Sequence, residues 1–452
     1  MKEIRLNAFD MNCVGHIQHG MWTHPRDRSI DYNTLEYWQN LARIAERGKF
    51  DGIFLADIVG VYDVFEGGPV PSIVNAVQIP VNDPMLLVPA MAAVTEHIGF
   101  GVTANSTYEP PYLFARRMST LDHLTRGRIG WNIVTGYLDS AARGMGLPAQ
   151  HDHDSRYDVA DEYMSVVYRL WEASWEDGAV RRDKDNRIFA DPARIHRVQH
   201  DGPNYRVDAI HLSEPSTQRT PVLYQAGSST RGREFAATHA ECVFINATDK
   251  ALARRLTADL RDRAVAHGRD PNDLVVFILR SVVTGRTRRE AEAKYREYHE
   301  HASVAGGLAH FSSSTGIDLS RYALDEPIRH VKNDANNSAL EAITTLSAEP
   351  WTLRRIIGQM GLGSRAMPIL GSAEEVADEM IAWVEETGID GFNLSRTVTP
   401  ESLEDFVELV VPALQERGAY KHDYAPGPLR QKLFGHPRLP ARHPAASWRR
   451  PG

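Results

Sequence analysis

The chain has 452 residues, of which 42% are hydrophobic and 24% are charged. These proportions are ordinary for a folded protein with a sizeable core, and they exclude a largely disordered chain. The net charge of −8 is modest and the basic residues are scattered, which argues against the basic surface of a nucleic-acid-binding protein.

The cysteine content and the N-terminal segment bear on the compartment. Two cysteines, Cys13 and Cys242, lie far apart and have no partners at metal-ligand spacing, which is typical of a reducing compartment. The first residues begin a strand-like run without a charged leader, and no apolar stretch is long enough to cross a bilayer. We therefore expect a cytoplasmic protein without a membrane partner.

Eight short apolar runs, each associated with turn residues and a helical pattern, recur along the chain. Such runs are typical of parallel strands that are covered on both faces. In chain order they span residues 4–9, 52–56, 98–103, 129–134, 222–225, 242–245, 274–283 and 391–394. The alternation predicts an α/β fold, a closed (β/α)8 TIM barrel, because eight strands close and the first turn lacks the G-x-G-x-x-G of an open doubly wound sheet.

Two gaps between these runs are too long for simple crossovers. We expect insertions at about 137–220, after strand four, and at about 286–370, after strand seven. The first should contain a helix near 156–171 and a hairpin-like stretch at 188–207. The second should contain a helix near 288–301 and a mobile Gly/Ser-rich loop at 306–316. Both insertions are assigned to a single barrel domain of residues 1–435, which is followed by a C-terminal tail of residues 436–452.

Polar residues lie at the ends of most of the predicted strands or directly after them. In a barrel of this kind they meet at one mouth, where the functional site lies. They are Asp57, Thr103, Asn105, Ser106, Asn132, Thr135, Gly227, Ser228, Ser229, Asn246, Asn393, Ser395 and Arg396. This set is rich in neutral hydrogen-bonding groups and poor in the carboxylates or histidines of a hydrolase, so it suits a large planar ligand.

The stretch QAGSSTRGREFAATHA, residues 225–240, places glycine and serine ahead of a helix that we expect to begin near Gly232. Free backbone N–H groups at a helix start attract a phosphate, and Arg231 and Arg233 add positive charge nearby. The same residues are also typical of a plain N-cap. The pattern alone leaves both interpretations open.

Three groups of histidines are candidates for metal ligands. They are His16 with His19 and His24, His151 with His153, and His196 with His200 and His211. None has a recognised ligand spacing, and no H-x-H ends strand one as a metal-dependent amidohydrolase barrel requires. We therefore predict no metal site, and we take His19 as the nearest candidate for an acid or base.

Six ordered blocks of the sequence resemble one known family. They are ERGKFDGIFLAD (46–57), AAVTEHIGFGVTAN (92–105), ARRMSTLDHLTRGRIGWNIVTG (115–136), HDSRYDVADEY (153–163), FADPARIHRVQHDG (189–202) and PVLYQAGSSTRG (221–232). Together they resemble the luciferase-like flavin monooxygenases, in the branch that acts on nitrilotriacetate and dibenzothiophene sulfone. The resemblance covers nearly the whole chain.

The resemblance implies a set of flavin contacts. Asp57, which ends strand two, and Thr103, which ends strand three, would contact the flavin ring, and Asn132 would line the ring pocket. One position departs from the family pattern, because the sulfone-oxidising members carry a histidine where this chain has Ser314. Roles in the substrate pocket are therefore not transferred.

A second group of contacts concerns the ribityl and phosphate side of the flavin. The resemblance implies that His153 and Tyr157 bind there. It also implies that Ser229 holds the phosphate together with the backbone N–H of Ser228.

The resemblance further implies a two-component monooxygenase that uses reduced FMN and O2. The chain lacks a nicotinamide-binding fingerprint, so a separate NAD(P)H-dependent flavin reductase would be its partner. The opening LNAFDMNCVGH and the run WTHPRDRS look most like members that oxidise dimethyl sulfide to methanethiol and formaldehyde, and a sulfone or aminocarboxylate substrate is the alternative. A deazaflavin-dependent oxidoreductase and a non-catalytic flavin-binding protein also stay open, and relatives suggest a homodimer or homotetramer.

Overall fold

The computed structural model describes residues 2–227, 229–329, 340, 343–345, 347, 349–359, 362 and 367–450. Within them, eight parallel strands form a ring that is closed by pairing of the first strand with the eighth and of the sixth with the seventh. They are β1 Arg5–Met11, β2 Gly52–Ala56, β3 Gly99–Asn105, β4 Ile129–Val134, β5 Val222–Gln225, β6 Cys242–Ile245, β7 Val275–Gly285 and β8 Gly391–Ser395. The predicted (β/α)8 barrel is confirmed.

Successive side chains of a strand point to opposite faces, so the residues of each strand face the bore and the surrounding helices in turn. Phe54, Tyr224 and Phe244 share one buried cluster with the C-terminal Leu429. Their neighbours along the strands, such as Ile53, belong instead to the large cluster that packs under the helices. The bore is thus filled by side chains, as an eight-stranded barrel requires.

Fifteen α-helices lie among the described residues. They are α1 Leu35–Arg47, α2 Val70–Val74, α3 Val88–Ala92, α4 Pro111–Leu124, α5 Asp139–Gly144, α6 His153–Tyr168, α7 Thr230–His239, α8 Lys250–Ala266, α9 Arg288–His301, α10 Val304–Thr315, α11 Leu353–Gln359, α12 Ala373–Thr387, α13 Glu401–Asp405, α14 Val411–Glu416 and α15 Leu429–Phe434. A π-helical turn extends α6 over Arg169–Ala173, and another joins α13 to α14. No described helix has the length and apolar character needed to span a bilayer.

The insertion after β4 contains α5, α6 and two small antiparallel hairpins. The hairpins pair Val180–Asp183 with Ile188–Ala190 and Val198–Asp201 with Arg206–Ala209. The hairpin-like stretch predicted at 188–207 is therefore present, although its first strand pairs with residues that precede the stretch.

The insertion after β7 differs from the prediction at residues 306–316. These residues form most of α10 instead of a loop. The Ser303 hydroxyl caps the helix by accepting from the Gly306 N–H at 2.9 Å, and Gly316, with φ of 70°, ends it. The glycines did not prevent a helix because its apolar face, which includes Leu308 and Phe311, is buried against neighbouring helices. Residues 330–339 of the same insertion lie outside the described part of the chain.

The helix α15 closes the amino-terminal end of the barrel. Its Arg430 is 0% exposed and contacts both carboxylate oxygens of Glu241, at 2.7 and 3.0 Å. The same guanidinium donates to the carbonyl oxygens of Thr220 and Pro221, both at 2.9 Å. The following tail packs on the barrel, where Ala445 is fully buried and Arg449 pairs with Glu172 at 2.7 Å.

We expect Arg430→Met to lower the free energy of unfolding by about 3–5 kcal/mol, because it leaves the buried Glu241 carboxylate without its cation. Urea unfolding of the purified protein measures the change. The control is Arg206→Met, which breaks a hairpin ion pair whose side chains are 84% and 81% exposed and should cost about 1 kcal/mol or less. Equal effects of the two substitutions would contradict the stabilising role of α15.

Candidate functional site

Two adjoining cavities open at the carboxyl ends of the strands. The larger has a volume of about 280 Å³ and the smaller about 170 Å³. Phe9, Ala226 and His310 line both of them, so the two cavities form one continuous site. This is the mouth at which barrel enzymes carry their functional residues.

The larger cavity collects most of the sequence-predicted residues. Those that line it are Asp57, Thr103, His153, Tyr157 and Ser229. Asn132 lies behind Thr103, and His19 lines the smaller cavity. Ser228 is outside the described residues. Residues from β2, β3, β5 and the insertion after β4 thus meet in one place.

The turn after β5 needs two glycines because Tyr157 approaches it closely. A Cβ atom on Gly227 would lie 2.3 Å from Gln225 Nε2 and 3.0 Å from the Tyr157 hydroxyl. A Cβ atom on Gly232 would lie 2.9 Å from the same hydroxyl. The absence of side chains at these positions lets α6 and the start of α7 touch the same part of the cavity.

Ser229 is both a cavity residue and the N-cap of α7. Its hydroxyl accepts from the Gly232 N–H at 3.0 Å, which satisfies one of the free donors of the first helical turn. The remaining N–H groups of that turn stay available to an anion. The capping and phosphate interpretations of this turn are therefore compatible.

The positive charge at this end of the cavity comes from a residue other than those expected. Arg231 pairs with Asp158 and Asp161, and Arg233 pairs with Asp259 at 2.6 Å, so both arginines are neutralised by acidic side chains. Arg156, on the first turn of α6, lines the larger cavity instead.

The start of α6 brings His153 and Tyr157 to the cavity without using the histidine as a cap. Asp152 is the N-cap, and its carboxylate accepts from the Ser155 N–H at 3.2 Å. The His153 and Tyr157 rings meet edge to face with centroids 5.4 Å apart. One helical turn separates the two residues, which explains why both face the same cavity.

A polar wall formed by Asp57 and Thr103, with Asn132 behind Thr103, lines another part of the larger cavity. Burial raises the pKa of Asp57 to about 7, which the Ile58 N–H opposes and the carboxylates of Asp83 and Glu109 reinforce. Asn132 donates from Nδ2 to the Thr103 hydroxyl at 2.9 Å. Its Oδ1 atom is buried and has no hydrogen-bond partner among the described residues.

His310, which no motif in the sequence singled out, lines both cavities and lies between them. Its Nδ1 atom lies 2.9 Å from His19 Nε2. Four residues further along α10, Ser314 also lines the larger cavity, and its buried hydroxyl has no partner among the described residues. Had residues 306–316 been predicted as a helix, the four-residue spacing would have placed the two side chains on one face.

His310 is held by an aromatic and polar cluster that the sequence also did not reveal. The Tyr62 ring stacks on it at 5.2 Å between centroids. The Tyr62 hydroxyl donates to Gln78 Oε1 at 2.8 Å and lies 2.9 Å from the Tyr137 hydroxyl. Tyr62 and Gln78 follow β2 and Tyr137 follows β4, and no spacing in the sequence links the three.

The smaller cavity is largely apolar. Phe9, Phe54, Phe244 and Leu279 come from barrel strands, and no Asp, Glu, Lys or Arg stands among the described residues that line it. Burial, together with the charge of the nearby Arg396, lowers the pKa of His19 to about 3. His19 is therefore a neutral hydrogen-bonding group at neutral pH.

Metal ligands do not come together in the described part of the chain, where no three His, Cys, Asp or Glu side chains form a possible site. Arg396, which was expected at the mouth, makes a buried ion pair with Asp10 at 3.0 Å. It also donates to the carbonyl oxygens of Cys13 and Val14, so it supports the loop after β1.

Comparison with known proteins agrees with this geometry. The luciferase-like monooxygenase family matches residues 11–391. The chain is 49% identical to dimethyl-sulfide monooxygenase from Hyphomicrobium sulfonivorans over 99% of this chain and 94% of that protein. It is also 49% identical to long-chain alkane monooxygenase from Geobacillus thermodenitrificans, over 99% of this chain and 98% of that one.

A solved structure of riboflavin lyase, with a modified FMN and its substrate riboflavin, is 36% identical and covers 100% of both chains with a TM-score of 0.93. The resemblance found in the six sequence blocks is thus confirmed over the full chain. The protein belongs to the luciferase-like monooxygenase family and is a flavin-dependent monooxygenase.

Proposed function

We propose that the protein is the oxygenase component of a two-component system that uses reduced FMN and O2 to oxidise a small, neutral organosulfur compound, with dimethyl sulfide as the preferred candidate. The observation that carries the proposal is that one cavity is lined both by Ser229, the N-cap of α7, and by the polar side chains of Asp57 and Thr103. A planar ring with a phosphate tail requires both kinds of surface.

The residues present fit FMN. The two glycines let the Tyr157 hydroxyl approach the turn that carries Ser229, and Arg156 supplies a positive charge on the same cavity. The buried Ser314 hydroxyl, which lines the cavity and has no partner among the described residues, offers a hydrogen-bonding position to a ligand. We assign the phosphate to Ser229, Ser228 and Arg156, the ribityl side to His153 and Tyr157, and the ring to Asp57, Thr103 and Asn132.

Reduced FMN, when bound, supplies two electrons and two protons, so that one atom of O2 enters formaldehyde, the other enters water, and methanethiol leaves. The protein's own task is to bind, orient and exclude water. We propose that the low pKa of His19 prevents it from delivering a proton and that it acts by orienting His310 through their 2.9 Å contact.

The smaller cavity supports a small and uncharged substrate. Its volume of about 170 Å³ is close to that of a roughly 150 Å³ apolar cavity that binds benzene. An aminocarboxylate would place several charges beside side chains that cannot pair with them. A long-chain alkane or a tricyclic sulfone would exceed the cavity, which is why we favour dimethyl sulfide over the substrates of the other relatives.

The flavin reductase, the compartment, the domain division and the assembly remain predictions. The expected partner is a separate NAD(P)H-dependent reductase. The expected compartment is the cytoplasm, and the expected assembly is a homodimer or homotetramer. We retain residues 1–435 as one domain, with 436–452 as its tail.

The proposed activity is tested by incubating the protein with FMN, NADH, a general flavin reductase and dimethyl sulfide in air. We expect methanethiol and formaldehyde in equal amounts, and little product from nitrilotriacetate, dibenzothiophene sulfone or hexadecane. Omission of the reductase is the control. Product formation with reduced deazaflavin in place of FMN would favour the deazaflavin alternative, and flavin binding without any product would favour a non-catalytic binding protein.

Ser229→Asp tests the phosphate assignment. Aspartate caps a helix as well as serine does, so α7 should persist, while its charge repels a phosphate. We expect FMN to bind at least about tenfold more weakly, since a charge-assisted hydrogen bond is replaced by repulsion, and riboflavin to bind almost unchanged. Fluorescence titration measures both ligands, and an equal loss for riboflavin would refute the assignment.

Asp57 predicts a pH dependence of flavin binding. Because its pKa is raised to about 7, the carboxyl is protonated below that pH and can donate to an acceptor on the ring. FMN affinity should fall as pH rises through 7, by up to about tenfold per pH unit. Asp57→Asn, a permanently neutral donor, should remove this dependence. The same slope in wild type and variant would show that Asp57 does not donate to the ring.

A further inference from the structure

The loop after β1 contains a strained turn at the smaller cavity. The Gln18 N–H donates to the His16 carbonyl at 2.7 Å across Ile17, whose φ is 65°. A three-residue turn with positive φ at its centre is a rare and strained form of γ-turn. Ile17 itself lines the smaller cavity.

Isoleucine is an unfavourable residue for this backbone. Nine residues other than glycine have positive φ in the described part of the chain, and Ile17 is the β-branched one among them. A branched Cβ makes the left-handed region a true outlier, with a cost of order 1–3 kcal/mol. Such conformations persist where surrounding structure imposes them, and they cluster at ligand-binding positions.

The surrounding structure fixes the turn from several sides. The His16 ring meets Phe9 edge to face at 4.6 Å. Three hydrogen bonds hold the other positions: Gln18 Nε2 to Ser281 Oγ at 2.7 Å, Gln78 N–H to the Gly15 carbonyl at 3.0 Å, and Ser303 N–H to the His19 carbonyl at 2.8 Å. These partners lie on β7, after α2 and before α10, so the position of Ile17 is determined by three separate elements.

Several other wall residues of the smaller cavity are held in place by packing. Phe54 and Phe244, with ring centroids 4.3 Å apart, belong to the buried cluster of the bore. Phe311 and His310 lie on α10, whose apolar face is packed. Ile17 is half-buried and lies on the loop after β1, so it forms part of the wall between the cavity and the outside.

We propose that Ile17 is a specificity-determining residue: its strained turn holds the isoleucine side chain as the wall that sets the upper size limit of the neutral substrate. This inference rests on the proposed function for the identity of the ligand, a dialkyl sulfide, but the size limit is a property of binding. It can therefore be measured without turnover.

The experiment measures the binding of dimethyl, diethyl, dipropyl and dibutyl sulfide to the full-length protein under nitrogen, by headspace partition. We expect wild type to lose affinity along the series. Ile17→Ala removes three carbon atoms and should raise the affinity ratio of dipropyl over dimethyl sulfide at least about tenfold, since one methylene changes discrimination by roughly 10- to 200-fold in a close-fitting pocket.

Two further variants keep the test decisive. Ile17→Gly adopts positive φ without strain and should fold even if Ile17→Ala does not, with the same shift towards longer sulfides. Ile30→Ala makes the same deletion at a residue that is 53% exposed and outside both cavities, and should leave the ratio unchanged. An unchanged ratio in a folded Ile17 variant would overturn the inference.

The aerobic assay distinguishes this failure from failure of the proposed function. If wild type binds short sulfides with a size limit that the Ile17 variants relax, but forms no methanethiol, the inference stands and the proposed reaction fails. If wild type forms methanethiol while the variants retain its size limit, the reaction stands and Ile17 has no role in specificity.

Discussion

The site depends on the close approach of α6 to the turn after β5. The Tyr157 hydroxyl hydrogen-bonds with the side chains of Ser229 and Gln225, and it occupies space that a Cβ atom on Gly227 or Gly232 would need. This contact joins the long insertion after β4 to the barrel. It also sets Ser229, the N-cap of α7, in one cavity with Arg156 and the polar ends of β2 and β3. Without the contact between Tyr157 and the turn after β5, the larger cavity would lose one of its walls.

The packing of the bore explains why the mouth can hold a strained turn. Aromatic side chains from four strands fill the barrel, and α15 seals its far end with the buried pair of Arg430 and Glu241. On this packed bore, the loop after β1 is held by contacts to β7, to the residue that precedes α10 and to the segment around Gln78. The strain at Ile17 is small compared with the stability that such a core provides.

The two cavities differ in electrostatic character, and burial is the common cause. In the larger cavity, burial raises the pKa of Asp57 into the neutral range, so that a carboxyl can donate a hydrogen bond. In the smaller cavity, burial lowers the pKa of His19, which keeps it uncharged beside His310. A site divided in this way suits a polar cofactor next to a neutral substrate, because each ligand meets groups that match its own polarity.

The sequence alone determined the barrel. Buried parallel strands must be nearly continuous apolar runs, so their order and bounds could be predicted to within two residues at each end. It also determined the residues at the carboxyl ends of those strands, Asp57 and Thr103 among them, because strand ends of a closed barrel meet at one mouth. The tertiary structure decided what depends on contacts between distant segments. It formed α10 from a Gly/Ser-rich stretch and thereby placed His310 between the cavities. It also neutralised Arg231 and Arg233 with acidic partners from α6 and α8, and it forced Ile17 into a conformation that no local propensity would select.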